Sequence, residues 1–216
     1  MLLTLLTVLI CLSVLALFLH VLVRIMRHFY KFPMPEFAAN IIDNPLRRKF
    51  QPPAGMPRRH GVKEGMTVLE IGPGNGTYTL ATAREVGDSG QVITIDIEPK
   101  MIARVKERIN AGATKNIEAR VANVFDLPFE DNKFDLIYMI AVIGEIPTPE
   151  RAMKEFHRVL KTGGSLGFSE ILMDPDYPLA KTLINLAELA GFQLKNQGGN
   201  FFTYTLVFDK IDVLRE

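Results

Sequence analysis

A chain of 216 residues, 48% of them apolar, is long enough for one ordinary domain with a buried core plus an appendage. Its formal net charge of +1, from 25 Lys and Arg against 24 Asp and Glu, hides an asymmetry: beyond position 63 sixteen basic residues stand against twenty-two acidic ones, which does not suit nucleic acid, whose binding needs a positive stripe on the domain itself. The lone cysteine, Cys11, leaves no intrachain disulfide and agrees with a reducing compartment.

The first element is read from residues 1–23, MLLTLLTVLICLSVLALFLHVLV, which contain no Asp, Glu, Lys or Arg. About 20 apolar residues in helix cross the hydrocarbon of a bilayer, so the run predicts a transmembrane helix. A cleaved signal peptide would show a basic start, a shorter apolar run and a small-x-small cleavage site, and none is visible. Thr4, Thr7 and Ser13 interrupt the run, but a helix can return hydroxyls to its own backbone. Arg24, Arg27, His28 and Lys31 follow at once, while nothing charged precedes the run. By the retention of Lys and Arg on the cytoplasmic side, a single-pass protein with its domain in the cytoplasm is expected.

Residues 24–60 read as a basic juxtamembrane collar or cap. Nine Lys or Arg lie between positions 24 and 63 against Glu36 and Asp43, which suits an anionic membrane surface and not nucleic acid. Prolines from Pro33 to Pro57 forbid one long helix. EFAANIID and NPLRRKF are each predicted as a short helix, the second capped by Asn44 with Pro45 in its first turn.

From Met66 onward short apolar runs alternate with amphipathic ones, the pattern of a parallel sheet with crossover helices. The strand candidates are TVLEI, QVITID, IEARVA, FDLIYMI and SLGFSEI. EPKMIARVKERI predicts a helix with Pro99 in its first turn and Met101, Ile102, Val105 and Ile109 on one face. TPERAMKEFHRVLKTGG predicts another, opened by Thr148, burying Ala152, Met153, Phe156 and Leu160, and closed by Gly163 and Gly164. LAKTLINLAELAGF predicts the last helix, and FQLKN and FFTYTLVFDK around QGG predict an antiparallel hairpin at the sheet's end.

The chemistry gathers after the first strand, where VLEIGPGNGTYTLA sets Gly72, Gly74 and Gly76 between a strand and a helix. Such a turn turns backbone N–H groups and the positive end of a helix toward a ligand. Gly76 is followed by Thr77 and Tyr78 and not by Lys-Ser/Thr, which excludes a Walker loop. The spacing is G-x-G-x-G, unlike the dinucleotide fingerprint. Glu70 stands two residues before the first glycine, where a carboxylate repels pyrophosphate but suits a cationic group. Asp96 ends the next strand, twenty residues after Gly76, where a doubly wound fold presents a carboxylate to ribose hydroxyls. A ribose, a cation and no string of phosphates describe S-adenosyl-L-methionine.

At this point the chain resembles the class I S-adenosylmethionine-dependent methyltransferases, especially the quinone-ring branch. The likeness covers residues 61–216 and rests on VLEIGPGNG, ITIDIEPKM, ARVANVFDLPFEDNKFDLIY and EIPTPERAMKEFHRVLKTGGSLGFSE. It implies an α/β fold: a doubly wound, Rossmann-like, seven-stranded sheet with one antiparallel strand, here preceded by a single transmembrane helix. It further implies that Gly72, Gly74 and Gly76 admit the methionine moiety and that Glu70 lies near its ammonium. Asp96 would hold the ribose, Ile97 pack on adenine, and Asn123 and Val124 meet the adenine edge. Where many relatives carry aspartate, this chain has Asn123, whose amide oxygen can accept the same bond without charge. Relatives often read Leu-His-His before Val-Pro; here Ile143-Gly144-Glu145 precedes Ile146-Pro147.

Methyl transfer needs nucleophile, methyl and sulfur aligned in a shielded site, and a base only if the nucleophile arrives protonated. Glu145, at the end of the fourth strand, is the candidate base, although a loop carboxylate is ordinarily a surface group. Tyr78 and Tyr138 are candidates to line the methyl site, or to pack with a bonded hydroxyl. The four histidines, His20, His28, His60 and His157, show no metal-ligand spacing, and His157 is expected to be exposed. An anchor beside a basic collar points to a membrane lipid or quinone as substrate. A soluble acceptor, a non-catalytic cofactor-binding protein and a nicotinamide-dependent oxidoreductase stay open as alternatives.

Overall fold

The computed structural model describes residues 1–31, 43–112 and 114–211, apart from the His28 side chain. The predicted helix over EFAANIID lies almost wholly outside these residues. Helix α1 (Leu2–Phe29) extends six residues beyond the apolar run, and its span Leu2–Arg27 has the length and apolarity to cross a membrane. Leu, Val and Ile are exposed all around it, as on a helix made for a non-aqueous surrounding. Thr7 and Ser13 donate to the carbonyls of Leu3 and Leu9, each at 2.9 Å, so neither hydroxyl is an unmet polar group in the span.

Two short helices follow, α2 (Pro45–Phe50) and α3 (Met56–His60). Asn44 caps α2 as expected, its side chain accepting from the Arg47 N–H at 3.0 Å. Beyond them the strands β1 (Thr67–Ile71), β2 (Gln91–Asp96), β3 (Ile117–Val121), β4 (Phe134–Ile140), β5 (Leu160–Ile171), β6 (Phe192–Gly199) and β7 (Thr203–Lys210) form one sheet of order β3-β2-β1-β4-β5-β7-β6. All neighbours are parallel except β7, which runs antiparallel to both β5 and β6. The helices α4 (Thr77–Val86), α5 (Pro99–Ala111), α6 (Pro149–Val159) and α7 (Ala180–Leu189) are the crossovers.

The inner strands β1, β2 and β4 are buried on both faces, which is why they read as nearly unbroken apolar runs, whereas the edge strands β3 and β6 are not. Alternation along each strand divides the core. Leu69, Ile93, Ile137 and Phe168 pack with Met153 and Phe156 of α6 on one face. Val68, Val92, Leu136 and Tyr138 pack with Ala83 and Val86 of α4 on the other.

Two boundaries differ from expectation. Helix α6 stops at Val159 instead of running to the glycine pair, because Leu160 already pairs with Phe134 of β4. The carbonyls of Arg158 and Val159 are taken by the N–H groups of Asn132 and Lys133 at 3.0 and 2.8 Å. Gly163, at φ +72°, instead bends β5, and Thr148 makes no side-chain capping bond. In the hairpin, Gln197, Gly198 and Gly199 belong to β6, and the turn lies at 200–202, with the Asn200 side chain accepting from Phe202 and Thr203.

Candidate active site

The strand order reverses between β1 and β4: the chain moves outward through β2 and β3 on one side and through β4 and β5 on the other. A crevice opens at the carboxyl ends of the strands at such a switch point. Here it is a cavity of about 270 Å³, running from the turn after β1 to the loops after β4 and β5.

At the glycine end, Gly72, Gly74 and Gly76 all have positive φ, at +68°, +54° and +73°, conformations that a side chain disfavours. A Cβ at Gly72 would stand 2.5 Å from a Val142 methyl, whereas Gly74 has no heavy atom within 4 Å of that position and faces open space. Gly72 and Gly74 line the cavity; Gly76 does not and instead begins α4 above Val105. The turn is braced from α5: Arg104 donates to the Asn75 side chain at 3.0 Å, and Arg108 to the Asn75 carbonyl at 2.6 Å and the Thr77 hydroxyl at 3.2 Å. Nothing in the glycine spacing foretold these two arginines, though both follow Met101 at helical intervals.

Asp96, Ile97, Asn123 and Val124 form the adjoining wall. Asp96 is half-buried, accepts from the Glu98 N–H at 2.9 Å, and has its carboxyl pushed up by burial. Ile97 is 52% exposed, an apolar face open to the cavity. The Asn123 side-chain oxygen accepts from the Phe125 N–H at 3.0 Å, which fixes the loop and leaves a second lone pair.

Glu70 is not brought to this wall. Strand alternation sends it to the opposite face of the sheet, between its register partners Thr94 and Tyr138, where it is fully buried and accepts from the Thr79 hydroxyl. Burial pushes its carboxyl up to about 7, with the Thr79 bond opposing. Tyr138 is buried beside it, bonded at 2.8 Å to the Thr82 hydroxyl, and so packs and does not line the cavity. Tyr78 does line it, with its hydroxyl donating to the Gln51 carbonyl at 3.1 Å.

The far end of the cavity is acidic. Glu145, in a single 3₁₀ turn over Ile143–Glu145, lines it together with Asp174 and Arg47, whereas Asp43 lines the cavity at the glycine end, where it accepts from the Thr77 hydroxyl at 2.6 Å. Asp174 and Glu170, which stands behind it on β5, are held up by burial and by neighbouring carboxylates. The Arg47 guanidinium donates to the Gln51 side chain at 3.1 Å. Asp174, Asp43 and Arg47 were invisible as site residues in the sequence, because neither the loops that carry Asp174 and Asp43 nor the short helix α2 that carries Arg47 has a motif that points to a ligand.

The cations between positions 24 and 63 lie at both ends of the strands. Arg27 pairs with Asp176 and, at 3.7 Å, with Glu145; Arg24 donates to the Tyr177 carbonyl at 3.2 Å. Arg58, Arg59 and Lys63 line a second hollow with Asp135, Lys161 and Lys195 at the amino ends of the strands. His60, on its floor, is buried, bonded to Ser169 at 3.0 Å, and depressed by burial to about 3. His157 is half-buried, contrary to expectation, with its ring edge-on to Phe192 and its Nε2 at 3.2 Å from the Ile211 carbonyl.

A family model described as a methyltransferase domain matches residues 62–201. Curated relatives include the ubiquinone/menaquinone biosynthesis C-methyltransferase UbiE of Enterobacter sp. (strain 638), 38% identical over 119 residues, which are 53% of this chain and 47% of the relative. That of Escherichia fergusonii is 37% identical over the same shares. This chain thus spans about half the length of the curated relatives it matches. Among solved structures, a SAM dependent methyltransferase from Aquifex aeolicus superposes with a TM-score of 0.77 at 23% identity, over 83% of this chain and 100% of that one. The PH0226 protein from Pyrococcus horikoshii OT3 gives 0.68 at 19%, over 82% and 100%; these two likenesses are of fold. With the family model covering well over half of its length, this chain belongs to the methyltransferase-domain family, as a class I S-adenosylmethionine-dependent methyltransferase domain related to the UbiE branch.

Proposed function

We propose that this chain is a membrane-anchored methyltransferase whose acceptor is lipophilic, a quinone ring or a lipid headgroup, with residues 61–216 as the catalytic domain facing the cytoplasm. The observation that carries the reading is the join between anchor and cavity: the loops walling its acidic end are hydrogen-bonded by Arg24, Arg27 and Lys31 at the foot of the apolar helix. An acceptor leaving the bilayer along that helix meets the cavity mouth first. The relatives named for ubiquinone and menaquinone biosynthesis support a quinone ring as the acceptor.

The cavity fits the cofactor on its own geometry. Open space over Gly74 and the positive φ of the turn leave backbone exposed where the methionine moiety would lie. The Asp96 carboxylate would accept from ribose hydroxyls, Ile97 would cover one adenine face, and Asn123 and Val124 would meet its edge. When bound, S-adenosylmethionine supplies an electrophilic methyl group on a sulfonium. Tyr78 would wall the methyl site, its hydroxyl turned away to Gln51. If the acceptor arrives protonated, its proton passes to a carboxylate oxygen at the acidic end, Glu145 being the candidate. Glu70 instead anchors the turn from below through Thr79.

The test is transfer of tritiated methyl from S-adenosylmethionine with the full chain in liposomes and native lipid extract. Label is expected in a product that partitions into organic solvent. Label confined to water-soluble products would defeat the lipophilic acceptor, and cofactor binding without S-adenosylhomocysteine formation would defeat catalysis.

A further inference from the structure

The membrane helix does more than tether. We infer that its foot is a built part of the acceptor end, and that Arg27 is a positioning residue holding Glu145 and, through the 174–177 loop, Asp174 in the cavity wall.

Arg27 is 3% exposed, although it sits on the last turns of a helix exposed along nearly its whole length. A guanidinium is taken out of water only against carboxylates that are themselves well placed. Among the described residues Arg27 meets carboxylates from two different loops: Asp176, whose side chain is also 3% exposed, and Glu145 at 14%. The foot of the helix grips each loop once more, through Arg24 on its last turns and Lys31 just past its end. Lys31 donates to the Gly144 carbonyl, next to Glu145. Arg24 donates to the Tyr177 carbonyl, next to Asp176, and lies 5.8 Å from the Tyr177 ring centre. Positions 24 and 27 fall on one side of α1 and Lys31 lies two residues beyond its end, so the docked last turns and the residues just after them reach all of these partners.

The two loops are also locked to each other. A Cβ on Gly144 would collide with the Asp176 carbonyl oxygen, and the Asp176 N–H donates at 2.8 Å to the Asp174 side chain, which lines the cavity. Four carboxyl groups, those of Glu145, Glu170, Asp174 and Asp176, meet at this corner, with Arg27 and Arg47 as the facing cations. Take Arg27 away and Asp176 is left buried beside three other acids. Both loops must then open to water, carrying Glu145 and Asp174 with them.

The experiment uses the full chain in lipid nanodiscs and compares wild type with Arg27→Ala, Arg27→Lys and Asp176→Asn. Backbone hydrogen exchange should quicken about tenfold or more in 143–147 and 174–177 of Arg27→Ala and stay unchanged in 72–76. Calorimetric affinity for S-adenosylmethionine should hold within about twofold, because the glycine end does not depend on the anchor. Tritiated methyl transfer to native lipid extract should lose about 10- to 100-fold in kcat/KM, the scale of a misplacement near 1 Å. Arg27→Lys should recover part, since an ammonium can meet one carboxylate but lacks the fork for two. Unchanged exchange in both loops would overturn the inference, as would a loss of cofactor affinity matching the loss of transfer. The kinetic arm rests on the proposed function. If wild type transfers no label, that function fails, and the exchange arm still decides whether Arg27 positions the loops. Should Arg27→Ala not fold, Arg27→Lys and Asp176→Asn are read for the same two segments.

Discussion

Glu70 shows how a side chain beside a cavity can serve it without touching it. Its carboxyl is protonated in the fold up to about pH 7, against the usual 4.5, so the folded chain keeps a proton that the unfolded chain releases. Stability contributed by that difference is present below about 4.5 and is lost as pH rises to about 7, some 3 kcal/mol at most by linkage. His60 works in the other direction, gaining stability as pH rises from about 3 to 6.5, so the wild-type profile alone conceals the effect. Glu70→Gln keeps an acceptor for Thr79 without the titration. Denaturant unfolding at pH 5 and pH 7.5 should show the wild type losing about 2–3 kcal/mol relative to this variant over the interval. A parallel pair of profiles would refute the assignment. At the glycine turn, Gly72→Ala meets both a positive φ and the Val142 methyl, and should cost about 2 kcal/mol in stability with weaker S-adenosylmethionine binding by calorimetry. Asp96→Asn, which keeps the shape of the wall, should weaken that binding about tenfold and leave stability within about 0.5 kcal/mol.

Among the elements, the sequence was most legible where periodicity and caps agreed. Helix α5 begins at its proline and buries Met101, Ile102 and Val105, as the spacing required. It was least legible where long-range pairing overrode a local signal: the glycine pair after α6 looked like a helix stop, yet Leu160 had already joined the sheet. The same junction carries Arg158, whose guanidinium donates to the carbonyls of Leu127 and Phe129 and to Glu155 and Asp131 at 2.7–2.9 Å. One side chain thereby ties the loop before β4 to α6. Arg158→Ala should cost about 2 kcal/mol in chemical denaturation, since charge-assisted bonds and two carbonyls lose their partner together; Arg158→Lys should recover less than half.

For the molecule as a whole, the fold class and the place of the glycine turn, between the first strand and the helix that follows it, were legible in one sequence. Of the acidic end only Glu145 was named from the sequence, because Arg27, Arg47 and Asp174 are brought to it only by tertiary contacts between segments separated by up to 147 positions. A chain beginning at Arg24 keeps every cation at the foot of α1 and loses only the apolar span. It should fold, bind S-adenosylmethionine as the full chain does, and no longer float with liposomes of neutral lipid, as sucrose-gradient flotation will read; co-flotation would locate the membrane attachment elsewhere.

The buried row of Glu70, Thr79, Thr82 and Tyr138 beneath the first turn has a consequence for the speed of ligand capture. It pins two successive turns of α4 to the sheet, while Arg104 and Arg108 pin the turn itself from the other side. A cradle so fastened is rigid before anything arrives. Encounter with the nucleoside should therefore follow one exponential whose rate climbs linearly with concentration, free of the plateau that a closing loop would impose.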